Sequence, residues 1–153
     1  MTEISEGYGR PLSGYVKIMA AYGTAVAAAA ALAALNGKRP PDRLGLLDLF
    51  LMGVCTHRLS RTLAKDPVTS PLRAPFTTFQ GVSGPAELKE EPRDAIGELM
   101  ACPFCLAQWV ATGYAAGLVL APRLTRLVGA TMTAVAVSDW LQFGYVKLMK
   151  EAE

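Results

Sequence analysis

From Tyr15 to Leu35 the chain runs through alanine-rich apolar sequence with one charge, Lys17, near its start. As a helix this run would be about 31 Å long, against roughly 30 Å for the hydrocarbon core of a bilayer. A helix apolar on every side is not the surface helix of a soluble domain. The run therefore predicts a transmembrane helix over 15–35. A secretory signal cleaved after Ala31-Leu32-Ala33 is the rival reading. The run is longer than a usual signal core and Lys38-Arg39 follow it closely, which favours an anchor.

Three further apolar blocks follow. Asn36-Gly37, Lys38-Arg39 and Pro40-Pro41 stop the first helix, and Asp42 is placed to cap a second over 44–64. Leu44 to Cys55 is apolar apart from Asp48. Thr56 to Lys65 is amphipathic, with Arg58, Arg61 and Lys65 on one face. This helix either spans, its long basic side chains snorkelling to the interface, or lies along the membrane surface. A third helix is expected over 102–121, with Pro103 at the first helical position and Gly113-x-x-x-Gly117 as a close-packing pair. A fourth is expected over 124–148, ending at Lys147 and Lys150.

Between the second and third blocks lies a polar loop, 66–100. Pro67, Pro71, Pro75, Pro85 and Pro92 forbid long regular elements there. Val68 to Phe76 reads as extended or turn-rich, and a short helix is expected from Arg93 to Met100. Residues 1–14 read as a short, loosely ordered tail. The expected fold is one all-α domain over 1–153: a multi-pass membrane bundle of four hydrophobic helices, three of them full spans.

Composition agrees. The 153 residues are 52% hydrophobic and 18% charged, where soluble domains carry about 25% charged residues. A net charge of +2 with scattered basic residues gives no ground for nucleic-acid binding. Three cysteines do not make a disulfide framework. With four spans, Lys38, Arg39, Arg43, Arg123 and Arg126 fall on one side and the other ten of the 15 basic residues on the opposite one. The positive-inside rule then puts both termini and the 66–100 loop in the cytoplasm of a multi-pass cell-membrane protein. With three spans only the amino terminus changes sides.

Two groups could carry chemistry. Cys102 and Cys105 share a face at a helix start and have the spacing of half a zinc site, with Cys55, His57 and Glu98 as the other ligand candidates. The same pair could cycle between dithiol and disulfide, although no βαβ pattern of a thioredoxin-like fold accompanies it. The bland reading is that two small thiols pack a helix start. Asp139 lies inside a hydrophobic helix, where a carboxylate is costly unless paired. Its expected partners are Arg58, Arg61 or His57, in an ion pair joining two helices. Lys65, Pro71, Arg73 and Phe76 are candidates for contact with lipid headgroups or a protein partner. No phosphate loop, hydrolase elbow or His-Glu-x-x-His motif is present.

Thr56-His57-Arg58-Leu59-Ser60-Arg61, then Asp66-Pro67-Val68-Thr69-Ser70-Pro71-Leu72-Arg73-Ala74-Pro75-Phe76, then Cys102-Pro103-Phe104-Cys105-Leu106-Ala107-Gln108-Trp109, taken in this order, resemble the bacterial domain of unknown function 1360 family. The resemblance covers roughly Leu44 to Leu141. It implies a small integral membrane protein, and one member carries the name of a sporulation protein. It implies no activity. The expected function is that of a non-enzymatic accessory protein, with the bilayer and a membrane or cytoplasmic protein as partners and no predicted cofactor. The alternative is a cytoplasm-facing zinc or thiol-redox site at Cys102 and Cys105.

Overall fold

The computed structural model describes residues 9–84 and 87–152. Residues 1–8 of the expected tail, and Pro85, lie outside them.

Helix α1 is Leu12–Leu35. Alanine favours the helix intrinsically. The helix stops at Asn36-Gly37 because Gly37 takes φ 63°. The Gly37 and Lys38 amides then bond back to the carbonyls of Ala34 and Ala33 at 3.0 and 2.8 Å. This is the reciprocal glycine-terminated cap that satisfies the last carbonyls of a helix. Helix α2 is Leu46–Lys65. It does not start from Asp42, as the sequence suggests. Gly45 holds the capping position in an extended conformation, and Asp48 supplies the acidic charge in the first turn.

The 66–100 loop is more regular than its prolines suggest. Pro67–Thr69 forms a 3-10 turn and Ser70–Arg73 a short helix, α3, so Val68 to Phe76, expected to be extended or turn-rich, is turn-rich. Prolines at the start of each turn lose no hydrogen bond. Strands β1, Thr77–Val82, and β2, Leu88–Pro92, pair antiparallel as a hairpin. A bulge between Phe79 and Gly81 is made possible by Gly81 at φ 120°. Helix α4, Ala95–Ala101, is capped by Asp94, whose Oδ1 accepts from the Gly97 amide at 2.7 Å. The strands add a small β element to a mostly helical chain.

Helix α5 is Pro103–Leu120 and α6 is Pro122–Ala152. They turn sharply at Ala121 and pack antiparallel. A side chain at Gly117 would meet Thr125 Oγ1 at 2.5 Å, and one at Gly129 would collide with the Tyr114 hydroxyl. Gly117 thus marks a close helix approach, whereas Gly113 faces open space.

The core lies where α2, α5 and α6 meet. Leu51, Cys55, Tyr114 and Leu118 are buried there, with Met52 and Met132 packed against them. Helices α2 and α6 run parallel, since Asp48 meets Arg126 and, further along both, Arg58 meets Asp139. Helix α1 runs alongside α5 in the same direction. Tyr15 bonds Glu98 just before α5, and Tyr22 bonds Thr112 at 2.6 Å and Gln108 at 2.9 Å within it. The Tyr22 and Trp109 rings meet edge to face at 5.2 Å. Helix direction therefore alternates along the chain: α1 and α5 one way, α2 and α6 the other.

Two helices, α1 and α5, are long and apolar enough to cross a membrane. Helices α2 and α6 do not meet the same measure, because α2 carries its charged second half and the apolar middle of α6 is interrupted by Ser138, Asp139 and Gln142. No residue of α1 is buried within the chain, and Leu46, Leu47, Phe50, Leu127, Leu141 and Leu148 are all more than half exposed.

Candidate functional site

The chemistry suggested by sequence gathers mostly at one end of the bundle, where α2 finishes, α5 begins and the β-hairpin sits. Arg73 organises this end. Its side chain is fully buried, and its Nη1 donates to the Leu63 carbonyl at 2.7 Å while Nη2 donates to that of Asp66 at 3.1 Å. It thereby caps the carboxyl terminus of α2 with a positive charge, where the helix dipole favours one. Its Nε and Nη2 also donate to both oxygens of Glu90 on β2, at 2.5 and 3.3 Å. Thr69 completes the cluster, its hydroxyl accepting from Arg73 and donating to the Thr62 carbonyl at 2.6 Å. Arg73 therefore does not face lipid or a partner. That expectation is corrected: the side chain spends its donors tying the hairpin to α2. Of the other contact candidates, Pro71 is exposed and Lys65 and Phe76 are half-buried.

A second ion pair ties the hairpin turn to α2, from Arg61 to Glu87. Arg61 is thus engaged with the loop, and Asp139 is held by Arg58 instead. Arg58 Nε lies 3.2 Å from Asp139 Oδ2, and Arg58 Nη2 lies 3.7 Å from Asp66 Oδ2. The Nε–Asp139 contact is a charge contact rather than an aligned hydrogen bond, since Nε is buried with no bonded acceptor.

These groups line a cavity of about 850 Å³ between the end of α2 and the second half of α6. His57, exposed on α2, is on its wall, as are Arg58, Arg61, Asp66, Glu87 and Asp139. The facing wall is mostly apolar: Ala136, Trp140, Phe143 and Val146 descend one side of α6, with Asp139 and Gln142 among them. Sequence reasoning named most of the charges but not the cavity. Glu87 and Trp140 were missed as members, although the 136, 140, 143, 146 spacing marks a single helical face.

Cys102 and Cys105 form a separate pair at the start of α5. Their sulfurs lie 2.7 Å apart, and Cys102 Sγ accepts from the Cys105 amide at 3.3 Å. Both are free thiols. Cys55 is not near them. It is buried against Tyr114 and Leu118, and Tyr114 stands nine positions beyond Cys105, or about 14 Å along the helix. His57 is in the charged cavity. Glu98 is taken up by Arg10 at 3.1 Å and by Tyr15. Among the described residues no three His, Cys, Asp or Glu side chains gather as a metal site. Two thiols alone supply half of a four-ligand zinc shell.

The fold and this end of it define a mostly helical protein with two helices able to cross a membrane and a β-hairpin bolted to the end of a third. A family profile described as "Protein of unknown function (DUF1360)" matches residues 51–145. The chain belongs to that family. It is also similar to the UPF0713 protein YngL of Bacillus subtilis (strain 168), 26% identical over 86 residues. That match covers 54% of this chain and 66% of YngL. No solved structure matches the chain.

Proposed function

We propose that this is a small integral membrane protein that crosses the bilayer four times and acts as a non-enzymatic accessory protein, holding its β-hairpin out to a protein partner on the cytoplasmic side. The observation that carries the reading is the buried Arg73–Glu90 pair. A loop that merely links two helices needs no such anchor. This one is fixed through Glu90 of β2 and through Glu87, yet β1 presents Phe79 and Val82 more than half exposed. Exposed apolar side chains on a rigid hairpin suit a docking partner.

Three features support four crossings. The alternating helix directions return the chain to the hairpin end after α2 and after α6. The Asp48–Arg126 and Arg58–Asp139 pairs bind the charges of α2 to a neighbouring helix, which lowers their cost in lipid. Ten of the 15 basic residues fall at the hairpin end, the side the positive-inside rule makes cytoplasmic.

A photo-crosslinking residue at Phe79 or Val82 tests the docking reading in cells. One adduct of defined size is expected at both positions, lost in an Arg73→Met background that frees the hairpin. Adducts of equal yield from exposed positions elsewhere, or none, contradict it.

The 2.7 Å approach of Cys102 and Cys105 favours a second reading, a thiol site that binds a soft metal or cycles between dithiol and disulfide. Metal content and thermal stability of the protein with both cysteines changed to serine test it. Metal-free parent protein, with unchanged stability and no change in thiol count across a redox titration, would sink the idea.

A further inference from the structure

We propose that the cavity between α2 and α6 seats the headgroup of an aminophospholipid, a phosphate ester carrying a primary ammonium. This goes beyond the docking reading and uses the four-crossing arrangement only to set the cavity at headgroup level.

The wall chemistry calls for both signs of charge. Arg58 and Arg61 face the cavity with side chains 24% and 39% exposed, and Asp66, Asp139 and Glu87 face it at 27%, 36% and 28%. Three carboxylates stand against two guanidiniums, and Arg58 is shared between two of the carboxylates. A purely anionic guest would meet a surplus of negative charge. A primary ammonium is drawn to that surplus and can donate three hydrogen bonds to it. The phosphate beside it needs donors, and the guanidiniums and His57 supply them. Arg58 is 24% exposed and Arg61 39%, so both guanidiniums reach the cavity although Arg58 Nε itself is buried against Asp139.

The guest also needs an apolar portion. Ala136, Trp140, Phe143 and Val146 make an apolar stripe on α6 that Asp139 and Gln142 interrupt on the cavity side, and Val137 and Leu141 further round the helix are exposed. The stripe gives glycerol and acyl chains a path from the cavity to the bilayer. Trp140, about half exposed, is placed as tryptophans are at the membrane interface. The volume of about 850 Å³ lies within the range of roughly 300–1,000 Å³ typical of small-molecule sites.

The same ammonium-phosphate chemistry could come from soluble phosphoethanolamine, so the test includes it. The delipidated full chain in detergent is titrated with dioleoyl phosphatidylethanolamine, phosphatidylcholine, phosphatidylglycerol and phosphoethanolamine, and bound molecules are counted by native mass spectrometry. One phosphatidylethanolamine is expected to bind about tenfold more tightly than either other lipid, the effect of one charge-assisted hydrogen bond. Phosphoethanolamine should bind far more weakly. Glu87→Gln and, independently, Trp140→Ala should each weaken phosphatidylethanolamine about tenfold, while Arg10→Ala, outside the cavity lining, changes nothing. Thermal unfolding of each variant confirms that it is folded. Equal binding of the ethanolamine and choline lipids overturns the proposal. So does tighter phosphatidylglycerol binding, full affinity for phosphoethanolamine alone, or indifference to both variants. Binding in detergent does not depend on how many helices cross the bilayer, so failure here leaves the topology to its own test.

Discussion

Arg58 Nε lies 3.2 Å from Asp139 Oδ2, joining the second half of α2 to the second half of α6. The two helices run parallel, and Asp48 and Arg126 join them again near their starts through two bonds of 2.8 Å. A carboxylate inside an apolar helix is thus neutralised by a neighbour. Removing one partner exposes the other.

Asp139→Asn should lower stability by about 1–2 kcal/mol, between the values for exposed and for fully buried pairs. The loss is limited because both groups are partly exposed and Arg58 keeps Asp66. Thermal unfolding in detergent measures it. The double variant Arg58→Met, Asp139→Leu should lose less than the sum of the two single variants, because the Arg58–Asp139 pair is removed as a unit and only the partly exposed Asp66 loses its partner. Additive losses would show that the pair is not coupled.

Arg73 gives the largest expected effect. Arg73→Met leaves Glu90 buried without its partner and takes a donor from the Leu63 carbonyl of α2 and from that of Asp66 just beyond it. A loss of about 3–5 kcal/mol follows for a broken buried pair. It should fall on the hairpin more than on the helical core, which Arg73 does not touch. Limited proteolysis between Thr77 and Pro92 should become fast while helix content by circular dichroism is kept. Arg73→Lys should rescue little, because one ammonium cannot reproduce a forked set of donors.

Gly97 and Gly113 separate steric need from mere presence. A side chain at Gly97 would drive into the Phe76 carbonyl, which is backbone and cannot turn aside. Gly97→Ala should therefore cost about 1–3 kcal/mol through overpacking. Gly113→Ala meets nothing and should be neutral or slightly stabilising. Melting temperatures of the two variants check the contrast. Equal effects would mean that the contact of α4 with the Phe76 backbone is looser than described.

Helix content was legible because apolar runs with alanine, Asn-Gly stops and proline starts act locally. The hairpin was not. Its strands are polar, and their order comes from Arg73 reaching Glu90 seventeen residues away, a contact that no period in the sequence announces. The same reach hid the role of Arg73, which reads as one more surface cation until its burial is seen. Asp139 was conspicuous because a lone carboxylate among apolar residues demands a partner. Three partners were equally placed by sequence, and only the packing of α2 against α6, with Glu87 occupying Arg61, singles out Arg58. The separation of Cys55 from the Cys102–Cys105 pair has a related reason. Cys55 and Cys102 lie at different depths of the bundle, and helix depth depends on register between elements.

The central claim is that four helices cross and that the hairpin, the cysteine pair and the cavity share the cytoplasmic face. Sided labelling with a membrane-impermeant maleimide tests this most directly, reading Cys102 and Cys105 in the natural chain and Lys38→Cys in a chain with the other cysteines changed to serine. The account predicts that position 38 labels in intact cells and that Cys102 and Cys105 label only after permeabilisation. Labelling of Cys102 or Cys105 in intact cells, or of position 38 only after permeabilisation, would contradict it.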